Sequence, residues 1–274
     1  MTTLAYIILF CLLGGALSVI AAASFLLAPE RWRARILPHL VSFAIGALLG
    51  AAFLALLPHA MLSPGVRDIH DISFAVLLGL LGFFVLEKLI LWRHCHSFEC
   101  EAHTPEHGAH HDHDHAHAHG HHRPGQKAAG MLILVGDGLH NFVDGILIAA
   151  AFLTDHHLGI VTALAVAAHE IPQEVGDFAV LLDSGYSRAR AFYYNLLSSL
   201  TTVVGGVLAY FSMAELKHVT PYVLAVAAAS FIYIAVADLI PGLHRRLQPK
   251  VTLQQIALIL AGVTVIYFAH KSLH

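Results

Sequence analysis

Lysine and arginine are missing from residue 128 to residue 187, although that stretch holds seven carboxylates: Asp137, Asp144, Asp155, Glu170, Glu174, Asp177 and Asp183. Charge is scarce elsewhere too. Only 12% of the 274 residues are Asp, Glu, Lys or Arg, where soluble domains carry about 25%. Hydrophobic residues make up 57% and mean hydropathy is +0.70, which excludes an ordinary water-soluble domain. Cysteine is reduced to Cys11, Cys95 and Cys100, too few for a disulfide framework; Cys11, within an apolar run, reads as packing. The net charge of -3 offers nothing to a nucleic acid, and none is expected as a partner. A basic region and a clear cleavage site are also lacking at the start, so the first apolar run is expected to be a retained span rather than a signal peptide.

What is present is a series of eight apolar segments, residues 4–28, 36–57, 72–92, 130–153, 158–182, 191–212, 221–243 and 252–271. Each is close to the ~20 residues that cross a bilayer core. The expected fold is an all-α integral membrane protein with eight transmembrane helices and both termini on one side of the lipid bilayer. The connections between spans 1–2, 3–4, 5–6 and 7–8 carry Arg31, Arg33, Arg35, Arg93, Arg123, Lys127, Arg188, Arg190, Arg245, Arg246 and Lys250. The other side carries Arg67, Lys217 and Lys271, with Lys88 inside a span. Positive charge collects on cytoplasmic loops, so both termini are expected outside. Short connections favour a bacterial inner (plasma) membrane.

The organisation expected is residues 1–93 for helices 1–3, residues 94–127 for a cytoplasmic loop, and residues 128–274 for helices 4–8. Twelve of the 23 histidines fall between His94 and His122, with Cys95 and Cys100 among them. The loop is too polar to fold by burial, and imidazole with thiolate suits zinc and its neighbours. A metal-binding loop is expected; a hydrophilic linker that binds metal incidentally is the plainer alternative.

Within the acidic stretch, span 4 reads Gly136-Asp137-Gly138-Leu139-His140-Asn141-Phe142-Val143-Asp144-Gly145. At about 100° per residue, Asp137, His140 and Asp144 share one stripe, with Asn141 at its edge. Span 5 reads His169-Glu170-Ile171-Pro172-Gln173-Glu174-Val175-Gly176-Asp177. His169, Gln173 and Asp177 share a stripe there, with Glu170 beside it and Glu174 further round. Each carboxylate near a helix centre costs roughly 2.5–3.5 kcal/mol on insertion scales. With no base nearby, a cation or a proton must supply the missing charge. A proton relay explains the acids but not Asn141 and Gln173, which can ligate but not relay. Nitrogen with oxygen and no thiolate suits Zn, Fe, Mn, Co or Ni.

His-Asn-x-x-Asp-Gly on span 4 followed by His-Glu-x-Pro-x-Glu-x-Gly-Asp on span 5 resembles the signature pair of the ZIP (Zrt/Irt-like) divalent metal transporters. The resemblance extends to eight spans, outside termini and a His-rich loop after span 3. It implies that His140, Asn141, Asp144, His169 and Glu170 are metal ligands, with Gln173 at a position usually held by His or Glu. Glu174, Asp137 and Asp177 are further candidates. It also implies a homodimer whose spans 1, 4, 5 and 6 slide against a scaffold of spans 2, 3, 7 and 8. Two departures stand out: Ser198-Ser199-Leu200-Thr201-Thr202 lacks the glutamate that completes a second metal position in some relatives, and residues 50–58 have lost a polar pattern common in this branch.

The expected function is import of Zn2+ or a similar ion (Fe2+, Mn2+, Co2+, Cd2+) into the cytoplasm, the ion being substrate rather than cofactor, with no enzymatic activity. Two alternatives carry different signatures. A cation diffusion facilitator, an exporter, would have six spans and cytoplasmic termini. An intramembrane metalloprotease would need a second His four residues after His169, where Gln173 stands. Outside the stripes, Asp238 is expected to make a helix-terminal or inter-span contact, with guidance of ions at the inner mouth as the alternative; Glu87 is expected to pair across helices, and the glycine pairs Gly14-Gly15 and Gly205-Gly206 to permit close packing.

Overall fold

The computed structural model describes residues 2–95, 124–213, 218–244 and 249–273, and no strand occurs among them. The His-rich residues 96–123 lie outside the described residues, and with them most of the expected loop. The helices are α1 (Thr3–Leu26, interrupted at Gly15), α2 (Glu30–Leu62), α3 (Ile69–Cys95), α4 (Pro124–Thr154), α5 (His156–Asp183), α6 (Arg188–Met213, interrupted at Leu200), α7 (Thr220–Leu243) and α8 (Pro249–Leu273). Every expected apolar segment lies on one of them apart from residues 27–28, which form the turn after α1. Seven of these eight helices are long and apolar enough to cross a membrane. The exception is α5, whose apolar run is interrupted by His169, Glu170, Gln173, Glu174 and Asp177. The chain is a multi-pass integral membrane protein.

Local sequence sets the helix ends. Between α4 and α5, one carboxylate oxygen of Asp155 accepts from the backbone N–H groups of His157 at 2.8 Å and Leu158 at 3.0 Å, satisfying donors that the first helical turn leaves open. Between α5 and α6, Gly185 takes φ +85°, and the Gly185 and Tyr186 N–H groups bond back to Leu182 and Leu181, a Schellman-type stop. Ser187 then caps α6 through the Arg190 N–H. Asp155 is therefore a cap, and Asp183 is exposed at the end of α5. Of the seven acids, five remain to be explained inside the bundle: Asp137, Asp144, Glu170, Glu174 and Asp177.

Packing divides the helices into two groups. In one, α4 lies against α5 and α6, and α1 against α5 and α6; in the other, α2 lies on α8 and α3 on α7. Small residues make the tightest contacts. A Cβ on Gly145 would sit 1.9 Å from the Thr202 carbonyl oxygen, and one on Gly205 would sit 2.0 Å from that of Phe142. Only glycine lets the α4 and α6 backbones touch in this way. Helix α2 joins the groups by packing on both α5 and α7. Its position is central: 67% of its most apolar stretch is buried, against 11% for α3 and for α8. Leu77, Leu81 and Phe84 of α3 remain exposed as an apolar outer face. Glu87 accepts a hydrogen bond from the Tyr233 hydroxyl of α7, so this acid does pair across helices. Both α2 and α7 contain a π-helical turn, Ala51–Leu56 and Ile234–Leu239, each followed closely by a proline, Pro58 and Pro241.

Candidate metal centre

Side chains of α4 and α5 meet halfway along the helices. His140 and Asp144 lie one turn apart on α4; His169 and Glu170 are neighbours on α5 just before Pro172. Pro172 has no N–H, so the Ala168 carbonyl loses its helical donor and the backbone here is loosened within an otherwise continuous helix. One ligand atom from each of these four residues lies within 4.8 Å of the other three.

The individual distances are more telling. Nε2 of His140 is 3.3 Å from Nε2 of His169, 3.4 Å from Oε1 of Glu170 and 3.7 Å from Oδ2 of Asp144. Nε2 of His169 is 3.4 Å from Oδ2 of Asp144 and 3.7 Å from Oε1 of Glu170. Ligands held at about 2.0–2.1 Å around a tetrahedral zinc ion lie about 3.3–3.4 Å apart. Five of the six separations among the four donors are thus 3.3–3.7 Å, close to those such an ion would require.

Protonation is partly fixed by the surroundings. Nδ1 of His169 lies 3.1 Å from the Ala165 carbonyl oxygen. A carbonyl can only accept, so Nδ1 carries a proton and Nε2 is the atom that faces the cluster. Ligating histidines typically hold their second nitrogen in this way. Both oxygens of Asp144 and both of Glu170 are buried without a hydrogen-bond partner. Buried carboxylates left so are costly, and a cation among the four residues would satisfy them. The His140 side chain keeps 23% of its accessible surface while the other three keep 0–1%, so the cluster reaches the accessible surface at His140.

The remaining candidates are placed differently. Asn141 is buried, but both ends of its amide are engaged: Nδ2 donates to Oδ1 of Asp137 at 2.9 Å, and Oδ1 accepts from the Thr202 hydroxyl at 2.9 Å. The other oxygen of Asp137 accepts from the Ser198 hydroxyl at 2.5 Å, and Gln173 is a further partner of Asp137. Thr201 donates to the Gly138 carbonyl at 2.7 Å. A polar strap therefore ties α4 to α6 beside the cluster, and Asp137 and Asn141 belong to it. Gln173 and Asp177 are half-buried, whereas Glu174 is fully buried with neither oxygen partnered. Glu170 and Glu174 thus occupy the fully buried face of α5, with half-buried Gln173 at its edge toward Asp137.

Sequence reasoning passed over α6. Asn195, Ser198, Ser199 and Thr202 follow the i, i+3, i+4, i+7 spacing of one helix face, and all four are buried. That polar stripe is the signal the sequence carries for this face, though it holds no acid.

Comparison with known proteins agrees with the motif resemblance. The family described as ZIP zinc transporter matches residues 1–270. The chain is similar to zinc transporter ZIP13 of Pongo abelii, 32% identical over 241 residues that cover 84% of this chain and 65% of that protein. It is similar to ZIP13 of Homo sapiens, 32% identical over 267 residues, 85% of this chain and 70% of that protein. Zinc transporter foi of Drosophila melanogaster is 45% identical over 138 residues, 50% of this chain and 19% of that protein. The chain thus spans between 19% and 70% of the length of these relatives. With the whole-length family match and the site described above, the chain belongs to the ZIP zinc transporter family.

Proposed function

We propose that this protein carries zinc, or a similar divalent transition metal such as Fe2+, Mn2+, Co2+ or Cd2+, across the membrane into the cytoplasm. His140, Asp144, His169 and Glu170 form its binding station. The observation that carries this reading is a pair of buried carboxylates without hydrogen-bond partners that face two imidazoles, with ligand atoms of all four residues within 4.8 Å of one another. The two carboxylates offset the charge of a divalent ion, and His140 leaves the station open at one side. Asn141, Asp137 and Gln173 hold α4, α5 and α6 in register around the station, and can exchange their present bonds for the ion as it moves.

Transport requires the station to face each side in turn. The division into α1, α4, α5 and α6 against α2, α3, α7 and α8 supports an elevator-type motion of the first group, with a second copy of the chain packed on the second group. The excess of Lys and Arg on alternate connections supports outside termini and a cytoplasmic residue 94–127 loop that collects arriving metal. Placement in a bacterial inner membrane rests on short connections alone, and the animal relatives lend it no support. Family membership removes the cation diffusion facilitator. Gln173 in place of a second histidine speaks against a peptidase.

Proteoliposomes with the protein in one orientation test the reading. Zinc added on the side of the termini should enter, with uptake saturating and competing with Cd2+. Absence of flux, or flux only in the opposite direction, would overturn it.

A further inference from the structure

Away from the tetrad of His140, Asp144, His169 and Glu170, a cavity of about 460 Å³ opens between the N-terminal turns of α2 and α8. Further along, these two helices touch backbone to backbone: a Cβ on Gly46 would lie 2.0 Å from the Ile259 carbonyl oxygen. One turn nearer the N-termini the small residues give way to long polar ones, and the cavity begins at Ser42. Arg31, Arg35 and His39 line it from α2, and Gln254 and Gln255 from α8. The three basic residues follow i, i+4 and i+8, so they share one stripe of the helix, within about 80°.

The lining is rich in donors and contains no carboxylate. Arg31 and Arg35 form no ion pair among the described residues. Nε2 of Gln255 is buried and has no acceptor, an omission that costs stability until an acceptor arrives. Nδ1 of His39 is engaged 2.6 Å from the Arg35 carbonyl oxygen, which holds that ring against the stripe. Arginines near a bilayer surface commonly extend their heads into water. Here two of them share a cavity with a shielded amide that lacks a partner, and such a donor set matches phosphate oxygens.

Position in the bilayer selects the kind of anion. Trp32 stands beside Arg31 and is 56% exposed, and tryptophans of this kind mark the headgroup level. From Arg31 to His39 the helix rises about 12 Å, so the cavity runs from that level toward the hydrocarbon. Leu253 and Ile256, which flank the two glutamines in sequence, are exposed apolar side chains that acyl chains can cover. We propose that this cavity binds the headgroup phosphate of an anionic phospholipid, with Arg31 and Arg35 on its oxygens and Nε2 of Gln255 as a further donor. In the proposed orientation it opens to the cytoplasmic leaflet, where anionic lipids collect. The site belongs to α2 and α8 and is independent of the metal reading.

Native mass spectrometry of the full chain in neutral detergent, titrated with phosphatidylglycerol or phosphatidylcholine, tests the proposal. One phosphatidylglycerol should be retained per chain under activation that strips phosphatidylcholine. Arg35→Gln should weaken that retention on the order of tenfold. Arg190→Gln removes the same charge at the same end of the bundle but outside the cavity, and should leave retention unchanged. Gln255→Leu, which keeps the net charge, should also weaken it and serves if Arg35→Gln fails to fold. Equal loss from Arg190→Gln would reduce the effect to general surface charge and overturn the site. Equal retention of phosphatidylcholine would overturn it too, as would full displacement of the lipid by inorganic phosphate, which would mark a site for soluble anions.

Discussion

The imidazoles of His140 and His169 meet edge to face, Nε2 to Nε2 at 3.3 Å with ring planes 82° apart. At that distance one Nε2 can donate to the other, or both can turn to a shared cation. The Ala165 carbonyl engages Nδ1 of His169, so Nε2 is the atom that this ring turns to His140 and the two carboxylates.

Loss of either helix's contribution should therefore abolish transport. His169→Ala and Asp144→Ala are each expected to reduce zinc uptake in proteoliposomes to background while the purified protein remains monodisperse and helical by circular dichroism. Wild-type uptake from either would refute the assignment of the tetrad.

The α4–α6 strap has a stability signature distinct from ion binding. Thr202→Val keeps the shape of the side chain but leaves the buried Oδ1 of Asn141 without its donor. Thermal unfolding in detergent should show destabilisation of about 1–3 kcal/mol. An unchanged melting temperature would mean that Asn141 finds another partner.

Contact between backbones can be tested by adding one methyl group. Gly145→Ala would place its Cβ 1.9 Å from the Thr202 carbonyl oxygen, where backbone must shift. Overpacking of this kind typically costs about 1–3 kcal/mol. Gly82→Ala on α3 meets nothing within 4 Å and serves as the control; it should melt at or above the wild-type temperature. Equal behaviour of the two variants would contradict the close α4–α6 approach.

Gln173 is a partner of Asp137 in the strap and stands beside the tetrad. Gln173→His would exchange a neutral amide for an imidazole, a far better ligand for zinc. Competition assays should then show a changed affinity or a changed order among Zn2+, Cd2+ and Mn2+. An identical metal profile would show that this position neither coordinates nor shapes the station.

Deleting residues 103–122 should leave basal zinc uptake largely intact and lower only the metal bound at equilibrium, since that segment holds ten histidines. Complete loss of uptake would place it in the transport path itself.

Much of this architecture was legible in the residues. Apolar runs gave each helix, because a segment in lipid must satisfy its own backbone. Helical spacing put His140 and Asp144 on one stripe of α4, and that pairing is what the structure shows. On α5 the same arithmetic favoured Gln173 and Asp177 over Glu174, yet Glu174 is the buried one. A wheel gives relative angles within a helix but not the direction in which the neighbour lies. The strap was also illegible: Asn141 and Asp137 look like ligands by type, and only the position of α6 reveals that Thr202 and Ser198 reach them. Asp155 shows the reverse case, an acid in the suspicious stretch whose role is a helix cap.

The widened turns in α2 and α7 carry a further implication. A π-helical turn spends an extra residue per hydrogen bond, and one added residue re-aims everything downstream by about 100°. The stripe that α2 presents before Ala51 is thus not the stripe it presents at Pro58 and beyond, and the same offset separates the two ends of α7 at Ile234–Leu239. Each of these helices is two differently oriented surfaces on a single rod, and substitutions planned from an uninterrupted wheel would land on the wrong side of it.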